Sequence, residues 1–164
     1  MKLLIKQNFN LLNDSYIIMD ENGNIRYTVK GEALSFSHKL HIYDAYNREV
    51  GLIREKLWAW NATFLIDIMG KNVGMIKKEF TWFEPKYKVD FLNWYVEGDW
   101  TECKYNVYSR GQLIAKITEK ILTFNDTYVL NVLRPEDELY ALMLVLAIDV
   151  VKSTQRVTTS VALN

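Results

Sequence analysis

The stretch PEDELYALMLVLAIDVVKS, Pro135 to Ser153, decides how this chain folds. Pro135 suits a first helical position, where its missing N–H costs nothing. Glu136, Asp137 and Glu138 place negative charge at the positive end of the helix dipole, and Lys152 and Arg156 stand at or beyond the other end. Between them Leu139, Leu142, Met143, Leu146 and Val150 cover one side, while Tyr140, Leu144, Val145, Ile148 and Val151 cover the rest. A helix that is apolar all round is a buried helix. The pattern predicts a helix over about 135–153.

Everything before it reads as strand. From residue 3 to about 133, short β-branched and aromatic runs, 33–37 among them, alternate with turn signals such as Asn22-Gly23. A helix lying on an open sheet would keep a polar outer stripe, and this one has none. The expected architecture is therefore mainly β: a closed antiparallel barrel of about a dozen strands wrapped around one C-terminal helix, which also removes sheet edges. A helix hidden in a dimer interface is the alternative. With two prolines and no Gly/Ser linker, residues 1–164 read as one domain, with barrel strands over about 3–133 and a tail at 154–164 that is either a loose extension or an added strand.

Three hairpins share a pattern: IYDAYNREVGLIREKL (42–57), LIDIMGKNVGMIKKEF (65–80) and NVYSRGQLIAKITEKI (106–121). Asn47, Gly70 and Gly111 coincide at the turn, followed by the small residues Gly51, Gly74 and Ala115. Ile53, Ile76 and Ile117 share the face of those small residues, and Leu57, Phe80 and Ile121 complete it. A small residue on an apolar strand face implies either close approach by another element or a β-bulge. The first hairpin (16–30) reads as having a shorter turn, with Arg26 at the position of Gly or Ala.

Composition narrows the function classes. Hydrophobic residues make up 49% and aromatics 13%, which is a folded chain. Twenty basic and twenty acidic residues cancel, which argues against a whole-surface grip on nucleic acid. Cys103 is alone, so no internal disulfide can form, and a reducing cytoplasm fits. The start, MKLLIKQNF, reaches Lys6 after three apolar residues, too few for an export signal. Leu139 to Ile148 is the longest uncharged apolar run, half the roughly 20 residues a bilayer span needs.

No catalytic set emerges. His38 and His41 point to opposite faces of a strand, and no third nitrogen or thiolate stands near to complete a zinc cage. Nucleophile-elbow and nucleotide-loop patterns are absent. Glu97 and Asp99 bracket Gly98 in what reads as a solvated turn. Asp149 interrupts the apolar helix. It is either a perturbed functional carboxylate or, more simply, a structural group bonded to the barrel rim or to Lys152. The aromatic cluster Trp58, Trp60, Trp82, Phe83, Tyr87, Phe91, Trp94, Tyr95 and Trp100 reads mostly as packing; any of the first four found exposed would mark a binding surface.

These hairpins, with NWYVEGDWTECKYNVY (93–108) and DTYVLNVLRPEDELYALMLVLAIDVV (126–151), resemble the LURP-one-related family of the tubby-like and phospholipid-scramblase-like superfamily, in its bacterial-type single-domain form. The resemblance runs from about residue 3 to 152 and rests on fold signatures, not on a catalytic motif. It implies a 12-stranded barrel around a hydrophobic C-terminal helix. It also implies a non-enzymatic binding or scaffold domain, without cofactor or metal, cytoplasmic or peripheral to a membrane, whose partner is an anionic phospholipid headgroup or a protein. Lipid scrambling, and an enzyme with an unrecognised site, are the competing classes. Tubby-like domains hold phosphoinositides through surface basic residues. Here Arg54, Lys56, Lys77, Lys116 and Lys120 fall on the face opposite the Gly/Ile series, outside a barrel, and are the candidate anion-binding set. Interleaved Glu55, Glu79 and Glu119 favour plain mixed surface charge as the competing account.

Overall fold

Alternation builds each strand, with apolar side chains inward and polar ones outward. The computed structural model of the chain describes residues 1–10, 13–32, 37–80, 86–99, 104–120 and 127–162. In it β1 (Lys2–Asn10), β2 (Asn13–Met19), β3 (Ile25–Gly31) and β4 (Lys39–Asp44) lead into β5 (Glu49–Glu55), β6 (Thr63–Ile68), β7 (Lys71–Glu79) and β8 (Lys86–Val89). Then come β9 (Trp94–Asp99), β10 (Lys104–Ser109), β11 (Gln112–Lys120) and β12 (Thr127–Val132). Every strand pairs antiparallel with its sequence neighbours, and β1 pairs with β12 from Lys2↔Asn131 to Lys6↔Thr127, closing the ring. The candidate strand at 33–37 lies almost wholly outside the described residues.

A 3₁₀ turn at Pro135–Asp137 delivers the chain into α1 (Glu138–Ala162), which runs up the barrel axis. Each residue from Ala141 to Ile148 is fully buried, so over that stretch the helix has no wet side. Twelve strands about 4.8 Å apart and tilted about 40° make a ring of radius about 12 Å. A helix with its side chains fills about 5–6 Å of that radius, which leaves one layer of inward strand side chains. Ile5, Ile18, Ile42, Ile53, Phe64, Ile66, Val96, Val107 and Leu130 supply that layer.

The helix does not stop at Ser153 but continues to Ala162, so the tail is neither loose nor a strand. Nothing between 153 and 162 breaks a helix: there is no Gly or Pro, and the Ser153 and Thr154 hydroxyls both donate back to the Val150 carbonyl at 2.9 Å. Asp149 is therefore well inside the helix and not near its end.

Both readings of the small residues hold. A β-bulge sits at one position in each of four hairpins, leaving Arg26, Val50, Val73 and Ile114 as the extra residue. The next position must be small where the helix comes close: a Cβ on Gly51 would stand 3.1 Å from Met143 Cε. Gly74 has a different reason. Its φ is +146°, and a Cβ there would meet Asp90 and Phe91 at 2.6 Å. The first hairpin is not shorter. Asp20 and Asp44 each accept the backbone N–H groups two and four residues on at 2.9 Å, which fixes the same turn in both. Arg26 accordingly matches Val50, and Tyr27 matches Gly51. The bulge turns Arg26 onto Glu138 at the start of α1, 3.1 Å away.

Two smaller expectations change. Leu57 and Phe80 do not extend the inner face; both lie past the strand ends and are exposed. Ile121 lies outside the described residues. Glu97, Gly98 and Asp99 are not a turn but the end of β9, with Gly98 inward against Tyr105 and the two carboxylates outward.

Candidate functional site

The interior holds buried polar groups as well as the apolar core. Tyr16 and Tyr128 each donate a 2.6 Å hydrogen bond to the Asp149 carboxylate. Lys152, also buried, donates to Glu119 and lies 6.0 Å from the Tyr105 and Tyr128 ring centroids. Asp149 is thus held by two barrel tyrosines, Tyr16 and Tyr128. Their identity was hidden in the sequence because Tyr16 and Tyr128 are brought to Asp149 by ring closure alone. Among the described residues no group of three His, Cys, Asp or Glu side chains is gathered to hold a metal, and no helix is long and apolar enough to cross a membrane.

Chemistry able to meet a partner lies outside and at the rims. Pleating puts Lys56, Lys77 and Lys116 outward and exposed, as alternation requires. Register then sorts them. The Lys56 backbone N–H donates to the Thr63 carbonyl at 2.8 Å, Thr63 pairs with Lys77, Lys77 with Lys88, and Lys88 with Tyr95. Tyr95 stacks on Tyr108, ring centroids 5.3 Å apart. One row across the outer wall therefore reads Lys56, Thr63, Lys77, Lys88, Tyr95, Tyr108. Lys56, Lys77 and Lys88 make no ion pair among the described residues, and like charges directly opposite destabilise a sheet. Lys88 was not in the sequence-derived set, because its register against Lys77 depends on a connection that carries no pattern.

The remaining candidates stand apart. Arg54 is committed to Asp67 through two bonds of 2.9 and 3.0 Å. Burial pushes the Asp67 carboxyl up, but the hydrogen bonds from Arg54 and Asn72 and the Arg54 charge outweigh it and hold it below the usual range. Lys116 sits on β11, four strands from Lys77, or about 19 Å along the wall. The Lys120 backbone pairs with Thr127; its side chain lies outside the described residues. Lys116 therefore stands outside any patch that Lys56 and Lys77 share. Neither histidine faces a metal cage: His38 Nδ1 lies 2.7 Å from Glu55 and His41 bridges Glu32 and Glu49.

Beside the lysine row is the rim from which α1 emerges. The β5–β6 loop, residues 56–62, carries Trp58 and Trp60, which are 99% and 103% exposed. The backbone is pinned there, since the Lys78 N–H donates to the Ala62 carbonyl at 2.9 Å. Trp60 and Phe80 border a cavity of about 380 Å³ whose floor is Val151 of α1 and whose wall includes Lys78. Burial alone pulls the Lys78 ammonium pKa below the usual lysine value. Trp82 and Phe83 lie outside the described residues.

A ring of twelve antiparallel strands filled by its own last helix, with its polar chemistry displayed outside and at the rims, defines a helix-filled β-barrel. The chain belongs to the LURP-one-related family, whose sequence pattern matches residues 1–149. It is 25% identical over 150 residues to the uncharacterized protein YxjI of Bacillus subtilis (strain 168), covering 92% of this chain and 93% of that one. It is also similar to the X-ray structure of a protein from Arabidopsis thaliana, with a TM-score of 0.61, 18% identity and 91% of each chain covered. At that identity the likeness carries the fold.

Proposed function

We propose that this domain is a non-enzymatic binding module that takes an anionic phospholipid headgroup at the cytoplasmic face of a membrane, to which it attaches peripherally. The observation that carries this reading is the cross-strand Lys77–Lys88 pair, beside Lys56 and without a carboxylate partner among the described residues. A phosphate between the two ammonium groups turns a destabilising contact into charge-assisted hydrogen bonds. The helix-filled interior supports a module over an enzyme, because α1 and the inward strand side chains occupy the barrel axis where a deep pocket would lie.

Co-sedimentation with phosphatidylglycerol or phosphoinositide vesicles at low salt tests it. Binding is expected to weaken as salt shortens the Debye length from about 30 Å at 0.01 M to about 10 Å at 0.1 M. Lys77→Glu with Lys88→Glu should abolish it, and Lys116→Glu, about 19 Å away, should not. No binding by the unaltered chain at low salt refutes the reading.

A further inference from the structure

Two fully exposed tryptophans on a seven-residue loop contradict the ordinary placement of that side chain, which is highly buried on average. Leu57 and Trp58, with Trp60, point away from the barrel on the loop that joins β5 to β6, and Phe80 stands beside them at the end of β7. Trp58 adopts φ +63°, a left-handed conformation that is a genuine outlier for a bulky residue. Such strain persists only when the surroundings impose it, and it collects at binding elements. Here the loop ends are held by the Lys56-to-Thr63 and Lys78-to-Ala62 backbone bonds, so the rings are presented outward by a fixed frame.

Exposed apolar side chains at the opposite rim are arranged otherwise. Tyr46 lies against Arg48, 5.2 Å from its guanidinium, and Met69 sits alone on a different hairpin. Among the described residues, Trp58, Trp60 and Phe80 are the large exposed rings at the helix-exit rim. They adjoin Lys56, which opens the loop, and Lys77, which pairs with Thr63 at its far end, while Lys78, Glu55 and Glu79 line the cavity beside Trp60 and Phe80. Amphipathic rings above lysines match a water–lipid boundary, where indoles sit at headgroup level and ammonium groups meet phosphate.

We infer that loop 56–62 is a membrane-insertion element: Trp58, Trp60 and Leu57 enter the headgroup layer of an anionic bilayer while Lys56 and Lys77 hold its phosphates. This rests on the reading of the lysine row as a headgroup site and adds the apolar half of the contact. The occupant is a lipid surface because charge complementarity selects one. A row of unpaired lysines beside an uncharged aromatic tip offers anionic phosphate its counterion and acyl carbon its contact, in the order a leaflet presents them.

The test uses the full chain and vesicles of phosphatidylglycerol mixed with phosphatidylcholine. Tryptophan emission is expected to shift to the blue on binding and to be quenched by phosphatidylcholine brominated near the top of its acyl chain. Both changes should vanish in Trp58→Ser/Trp60→Ser. That variant removes exposed side chains only, so it should keep the wild-type melting curve while binding at least about tenfold more weakly with an unchanged salt slope. Lys77→Gln/Lys88→Gln, which removes the charges without reversing them, should instead weaken binding and lower the salt slope. Binding by the wild type with no change in emission, or equal binding by the tryptophan variant, overturns the insertion while leaving the headgroup site standing. A dimer in light scattering that the tryptophan variant dissolves also overturns it, since the rim would then contact a second copy. Absence of any vesicle binding by the wild type refutes both readings.

Discussion

Replacing Gly51 with valine tests whether the helix is held inside the ring by contact. A Cβ at Gly51 would lie 3.1 Å from Met143 Cε, 3.3 Å from Ile42 Cδ1 and 3.4 Å from Met143 Sδ. Ordinary carbon contacts are about 3.5–4.0 Å, so alanine asks Met143 for a few tenths of an ångström. The entropy that alanine saves in the unfolded chain, about 0.4–1 kcal/mol, offsets this, and Gly51→Ala should be nearly neutral. Valine adds two further methyl groups toward a fully buried Met143 and should cost about 2–3 kcal/mol, the upper part of the range for overpacking. Met143→Ala alone should cost about 2–5 kcal/mol through the cavity it leaves. In the double variant the valine methyls enter that cavity, so the two costs should fall short of additive by about 1–3 kcal/mol. Urea unfolding followed by tryptophan fluorescence reads all four chains. The valine variant alone should melt about 4–12 °C lower for a chain of this size. Costs that add within about 0.5 kcal/mol, or a valine variant as stable as the parent, would show that α1 does not press on β5.

Lys152→Met should destabilise by about 3–5 kcal/mol because it strands the buried Glu119 charge, whereas Lys152→Met with Glu119→Leu should return close to the parent; equal losses in both chains would refute the pairing. The Tyr87 hydroxyl is buried without a hydrogen bond, and burial raises its pKa, so Tyr87→Phe should leave stability unchanged or raise it by about 1 kcal/mol in the same unfolding assay. The hydrogen bond from His38 holds the Glu55 carboxyl below the ordinary glutamate value. A depressed folded-state pKa means that the stabilisation is fully present above the unfolded value and fades as pH falls through the folded one. His38→Ala should therefore cost roughly 1 kcal/mol at pH 7 and progressively less on acidification; a cost that persists unchanged at pH 2 would assign it to packing.

Much of the barrel was legible because its signals are local. Alternation along β7 or β11 sorts inside from outside whatever the strand pairs with, and it placed Lys77 and Lys116 on the outer wall without any knowledge of register. The Asp20 and Asp44 turns show the limit. Their identical hydrogen bonding was masked by different residues, Asn22-Gly23 in one and Tyr46-Asn47 in the other, so Arg26 was aligned with Gly51 instead of Val50. The site suffered more from this than the fold. Lys88 faces Lys77 through a connection with no turn pattern, and Trp58 and Trp60 look identical in sequence to aromatics that plug a core.

The amino-acid order alone determined that a helix without a polar face must be enclosed, because water and apolar surface separate wherever the chain allows it. It pointed equally to antiparallel strands as the enclosure, since strand patterns fill the chain before the helix, although a dimer interface stayed open as the alternative. Tertiary structure decided what each strand meets across the ring: two tyrosines on Asp149, Glu119 on Lys152, and two lysines set against each other on the outer wall. Those meetings follow from closure and register, which depend on all twelve pairings at once, and no short window of sequence contains them.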